Sequence, residues 1–122
     1  MQNMINWFEI PAKDISRAKN FYNVILGVQL NEVDMFGTKM AFFPTDGSNV
    51  SGAIVQGDDY APSPGGSLLY LNGGADLENV LSKVEGAGGK VVVPKTQISP
   101  EMGHFAMFLD TEGNKMALHS MN

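Results

Sequence analysis

Side chains able to carry acid–base or metal chemistry are sparse in this chain of 122 residues, which has two histidines, His104 and His119, and no cysteine. Without a thiol there is no disulfide, no thiolate metal site and no cysteine nucleophile. Two imidazoles with no ordered serine and carboxylate partners do not assemble a Ser-His-Asp triad. What remains is a carboxylate on one strand and an imidazole on another. Glu9 lies in the run Met4 to Ile10, which is short, rich in aromatic and branched side chains and stopped by Pro11; strand alternation puts Ile5, Trp7 and Glu9 on a single face. His119 closes the run Lys115 to His119, so it shares a face with Ala117. One histidine and one carboxylate could begin a metal site, although no third ligand is apparent and His104, at the start of its own strand, has no assigned direction. The plainer readings are a hydrogen-bonded or rim carboxylate for Glu9 and a solvent-facing or interface imidazole for His119. Gly65-Gly66, Gly73-Gly74 and the run Gly86 to Gly89 are turn and cap glycines without phosphate-binding spacing.

The elements that must position these groups follow from periodicity. Asp14 offers an N-cap, and Ile15, Ala18, Tyr22, Ile25 and Leu26 recur at helical spacing until Gly27 permits a left-handed ending. Residues 28–33, 38–43 and 50–56 read as strands separated by turn residues, which makes the first half βαβββ. Residues 57–66, with two prolines and three glycines, are a linker. Beyond it, 67–72 reads as a strand, and Asp76 caps a helix whose Leu77, Val80, Leu81 and Val84 form one stripe ended by Gly88-Gly89. Strands at 90–93, 105–109 and 115–119 complete a second βαβββ, with a loop at 94–102 and a hairpin turn over Asp110 to Asn114. The halves look duplicated: Asp14 stands to Asp76 as Gly27 stands to Gly89, and Gly37, Phe42 and Gly47 recur at Gly103, Phe108 and Gly113. The chain is thus one domain, 1–122, of two modules, 1–56 and 67–122, joined by linker 57–66.

Composition narrows the partners. The chain is 43% hydrophobic, enough for one core. A net charge of -5 and no basic run argue against nucleic acid and anionic membranes. The N-terminus has no basic region followed by an apolar core, and no apolar run approaches roughly 18 residues, so a soluble, cytoplasmic protein is expected.

The run Trp7-Phe-Glu-Ile-Pro-Ala-Lys-Asp14, followed by Ala18, Phe21-Tyr22 and Leu26-Gly27, together with Asp110-Thr-Glu-Gly-Asn-Lys-Met-Ala-Leu118, resembles the vicinal oxygen chelate superfamily, which includes glyoxalase I, extradiol dioxygenases and bleomycin-resistance proteins. The resemblance implies an α+β fold in which paired βαβββ modules form a curved half-barrel cup with helices outside, and a homodimer whose cups are built across two chains. It also puts the family's metal-ligand positions at Trp7, Ser51 or Gly52, Ser67 and Ala117. None of these is a good ligand for a divalent metal. No metal ligand and no cofactor are therefore assigned, although a divalent metal is not excluded. The expected function is metal-independent binding of a small organic molecule, with Trp7, Glu9, Ser67, Ala117 and His119 as ligand contacts. The alternative is a glyoxalase-like lyase or isomerase, in which Glu9 is the general base on a proton next to a carbonyl and His119 or a recruited metal stabilises the enolate.

Overall fold

Helix α1 (Ile15–Leu26) illustrates how local sequence becomes structure in this protein, for which a computed structural model describes residues 3–122. The Asp14 carboxylate accepts from the backbone N–H of Arg17, and Gly27 closes the helix in the left-handed region at φ 65°. Between these caps Ile15, Ala18, Phe21, Tyr22 and Ile25 form a fully buried stripe. Around α1 lie β1 (Trp7–Pro11), β2 (Asn31–Met35), β3 (Thr38–Phe42) and β4 (Ser51–Gln56), in the sheet order β1-β4-β3-β2. The second module repeats the pattern with β5 (Tyr70–Asn72), α2 (Glu78–Leu81), β6 (Lys90–Ser99), β7 (Gly103–Leu109) and β8 (Lys115–Ser120), in the order β5-β8-β7-β6.

The duplication is visible in the register. Strand β1 runs parallel to β4 with Trp7 opposite Ser51, and β5 runs parallel to β8 with Tyr70 opposite Ala117. The turn glycines match too: φ is 81° at Gly37 and 84° at Gly103, and 88° at Gly47 and 89° at Gly113. The fold is α+β, two βαβββ modules with open four-stranded sheets.

Several elements differ from expectation. Strand β1 starts at Trp7, so Ile5 precedes it, and β5 starts at Tyr70, so Ser67 does too. The α2 stripe is buried at Leu77, Leu81 and Val84, yet only Glu78–Leu81 is α-helical. Beyond it the chain tightens into i→i+3 bonds such as Lys83 N–H to the Val80 carbonyl and Val84 N–H to the Leu81 carbonyl, as the glycines that follow weaken helix propagation. The expected loop 94–102 is mostly strand, because β6 runs on to Ser99 with register shifts against β7. Strand β6 lies at the sheet edge, where Pro94 removes no ladder hydrogen bond and polar residues meet water.

One core serves both modules. Ile10, Ala41 and Ile54 of the first sheet, with Phe43 just beyond β3, cluster with Ala106, Phe108, Met116 and Leu118 of the second, and both helices contribute to the cluster. Phe21 of α1 lies 5.9 Å, ring to ring, from Phe108 of β7, so α1 packs against both halves. On β1 the core residues Phe8 and Ile10 alternate with Trp7 and Glu9, which therefore face away from the helices.

Candidate functional site at the module joint

The joint between the modules is built by the turn after β7. Buried Asp110 accepts from the backbone N–H groups of Glu112 and Asn114, from the Asn114 side chain and, at 2.7 Å, from the Tyr22 hydroxyl of α1. Burial, followed by the Asp110 charge, pushes the Tyr22 phenol well above its ordinary pKa, so it serves as a permanent donor. Asn114 uses its whole amide: Nδ2 donates to the Pro11 carbonyl at 2.8 Å as well as to Asp110, and Oδ1 accepts from Ser63 N–H of the linker at 3.1 Å. Glu112 caps the start of α1 from the other module, accepting from Lys13 N–H and Asp14 N–H and pairing with Arg17 through two nitrogens, at 2.7 and 3.0 Å. Burial opposes its charge, but the Arg17 guanidinium and the backbone and Thr111 donors outweigh it, and the Glu112 pKa falls to about 2.

These ties hold the end of β1 against the start of β8 and leave a cavity of about 380 Å³ between them, within the range of small-molecule sites. Apolar Phe8, Ile10, Leu69 and Met116 line it together with Glu9, Lys115, Ser63 and Ser67. The Glu9 carboxylate is held from its own strand and from the linker. The Tyr60 hydroxyl donates to Oε1 at 2.9 Å, and the Trp7 indole N–H lies 3.4 Å from Oε2. Its hydrogen bond to the Glu9 carboxylate, and then the charge itself, raise the Tyr60 phenol above its usual pKa. The Trp7 ring is 43% exposed and leans on Phe42, 5.8 Å between centroids.

The residues singled out in the sequence are distributed as follows. Trp7, Glu9 and Ser67 lie at or beside the joint cavity, Glu9 and Ser67 on its wall. His119 lies elsewhere, in a cavity of about 640 Å³ with Tyr70, Asn72, Ile98 and Met102, where its Nε2–H donates to the Met102 carbonyl at 2.6 Å. A single chain thus does not set Glu9 and His119 side by side in one cavity. Ala117 is fully buried under the β5–β8 pairing. His104, whose direction the sequence left open, has a buried Nδ1 with no hydrogen-bond partner among the described residues. Tyr60 and Lys115 were not singled out by sequence reasoning. The signal for Tyr60, a lone aromatic in a Gly- and Pro-rich linker, is visible only in retrospect.

At the positions where the resemblance puts metal ligands, the donor chemistry does not fit a divalent ion. Trp7 and Ala117 have no suitable donor, the Ser51 hydroxyl bonds the Phe43 carbonyl at 3.3 Å, and a Cβ at Gly52 would overlap the Phe8 carbonyl and ring. By register the second-module counterpart of Trp7 is Tyr70, another exposed aromatic. Among the described residues no group of three or more His, Cys, Asp or Glu is placed to hold a metal. No helix among them is long and apolar enough to cross a membrane.

Comparison with known proteins agrees with this architecture. The chain is 27% identical over 128 residues to a glyoxylase-like domain-containing protein of Didymella fabae, covering 97% of this chain and 94% of that one. Its fold matches a glyoxalase/bleomycin resistance protein from Albidiferax ferrireducens T118 with a TM-score of 0.71 at 18% identity, over 98% of this chain and 100% of that one. It also matches glyoxalase I from Zea mays with a TM-score of 0.69 at 17% identity, over 93% of this chain but only 44% of the maize protein. Residues 4–118 match the model of the Glyoxalase/Bleomycin resistance protein/Dioxygenase superfamily, and the chain belongs to that family.

Proposed function

We propose that the protein is a metal-independent small-molecule binding protein of the cytoplasm, acting as a homodimer, with its ligand seated in the cavity between β1 and β8. The observation that carries this reading is the joint cavity itself: apolar walls from both modules, and a Glu9 carboxylate oriented by the hydroxyl of Tyr60 and the indole of Trp7. A few convergent polar groups on an apolar lining suit recognition of an organic molecule. Dimerisation is supported by the exposed apolar residues Ile5, Val50, Leu68 and Tyr70, which line one groove together.

Two measurements test the reading. A thermal-shift screen of organic compounds on the purified, untagged protein should find ligands that raise the melting temperature, and Glu9→Gln should weaken them at least about tenfold, as expected when a charge-assisted hydrogen bond is lost. Metal analysis before and after incubation with nickel, zinc, manganese and iron(II) should find no stoichiometric retention. Metal that is held tightly and lost on changing Glu9 or His119 would overturn metal independence and restore the lyase or isomerase alternative, in which Glu9→Gln abolishes turnover while sparing affinity.

A further inference from the structure

The joint cavity holds two opposite charges that do not meet. Glu9 lines it from β1 and Lys115 from the start of β8, yet neither side chain forms an ion pair among the described residues. The carboxylate is held by the Tyr60 and Trp7 donors, which leave it further lone pairs with which to accept. The strand that carries Lys115 is fixed as well, because its neighbour Asn114 is tied to Pro11, Ser63 and Asp110. The two residues thus stand on different strands around the cavity, which Ile10, Leu69 and Met116 also line. Two charges on an apolar cavity wall gain most from a guest that presents a counter-charge to each.

Resting on the reading that this cavity is a binding site, we infer that its ligand is a small amphoteric molecule: an ammonium or similar cation directed to Glu9 and an acid group directed to Lys115, both carried on an apolar body. A volume of about 380 Å³, near the lower limit for ligand cavities, restricts the guest to amino-acid or similar size.

Trp7 is the only tryptophan in the chain, and its indole N–H faces Glu9, so its fluorescence reports on this site. Four probes share one body: L-phenylalanine with both charges, phenethylamine with the cation alone, 3-phenylpropanoate with the anion alone and 2-phenylethanol with neither. Titrated into the full chain, phenylalanine should bind at least about tenfold more tightly than either singly charged probe. Glu9→Gln should abolish its advantage over 3-phenylpropanoate, and Lys115→Gln its advantage over phenethylamine, each variant being checked for an unchanged circular dichroism spectrum. Equal binding of all four probes would overturn the amphoteric ligand while leaving the cavity a binding site. A preference for one singly charged probe over phenylalanine would overturn it too. Silence of Trp7 and of the melting temperature toward all four would overturn the cavity as a binding site and the inference with it.

Discussion

Five donors converge on the Glu112 carboxylate: two backbone N–H groups at the start of α1, two nitrogens of Arg17 and the Thr111 hydroxyl. Its pKa in the folded protein, about 2, lies below the ordinary value of 4.5, so the unfolded chain binds the extra proton first. The stabilisation is therefore complete above about pH 4.5 and is lost as pH falls toward 2. Allowing for screening at half-exposed Arg17, it should amount to about 1–2 kcal/mol. Urea unfolding of Glu112→Gln beside wild type between pH 2 and 7 checks this: the gap should be widest at neutral pH and close on the acid side. An unchanging gap would mean that the carboxylate's charge is not what α1 responds to. Legibility at this scale follows sequence separation. The Asp14 cap could be read because its partner Arg17 is three residues away, and Trp7 and Glu9 share a strand face by simple alternation. Glu112 stands 99 residues from Lys13, and nothing in a Thr-Glu-Gly-Asn turn announces that its acid will close a helix in the other module.

Among the elements, the turn between β2 and β3 is the one at odds with its residues. Phe36 and Gly37 both have positive φ, 54° and 81°, the pattern of a type I′ turn, which favours Asn or Gly at the first position and disfavours a bulky aromatic. The Phe36 ring is fully exposed and so gains nothing from packing. Phe36→Asn should raise stability by about 0.5–1 kcal/mol, read as a higher urea midpoint at an unchanged slope. A lower midpoint would point to a contact of Phe36 outside the single chain. Elements with a periodic stripe and local caps, such as α1, were legible to within a residue. Strand β6 was legible only over 90–93, because beyond them Pro94 and the polar residues of an exposed edge imitate a loop in sequence. Helix α2 was legible as a buried stripe but not as a length, since burial of Leu77, Leu81 and Val84 sets the stripe and the glycines that follow decide how far true helix extends.

For the whole molecule, the shared core and the Tyr22, Asp110 and Asn114 network predict that the two modules melt together. Calorimetry should show one transition, and Asn114→Ala, which leaves the Pro11 carbonyl and Ser63 N–H without their partner, should lower the midpoint by about 1–3 kcal/mol of stability without splitting the peak. Two resolved transitions would show that each half holds its own fold. The α+β class and the twofold repeat were legible because every element is specified twice. The joint was not, since it rests on residues in which the copies differ: Asp110 and Asn114 align with Pro44 and Ser48, and Asp46, the acid that aligns with Glu112, accepts from Ser48 of its own turn rather than from a helix start. That asymmetry means that the second module carries the recognition groups and the first carries what they grip. A chain cut in the linker beyond Tyr60 would then leave two fragments that are each other's ligand, one presenting an open helix end and a strand carbonyl and the other the carboxylate and amide that fit them. The seam is in that sense a binding interface folded into one chain, its two partners held at each other's door by the linker.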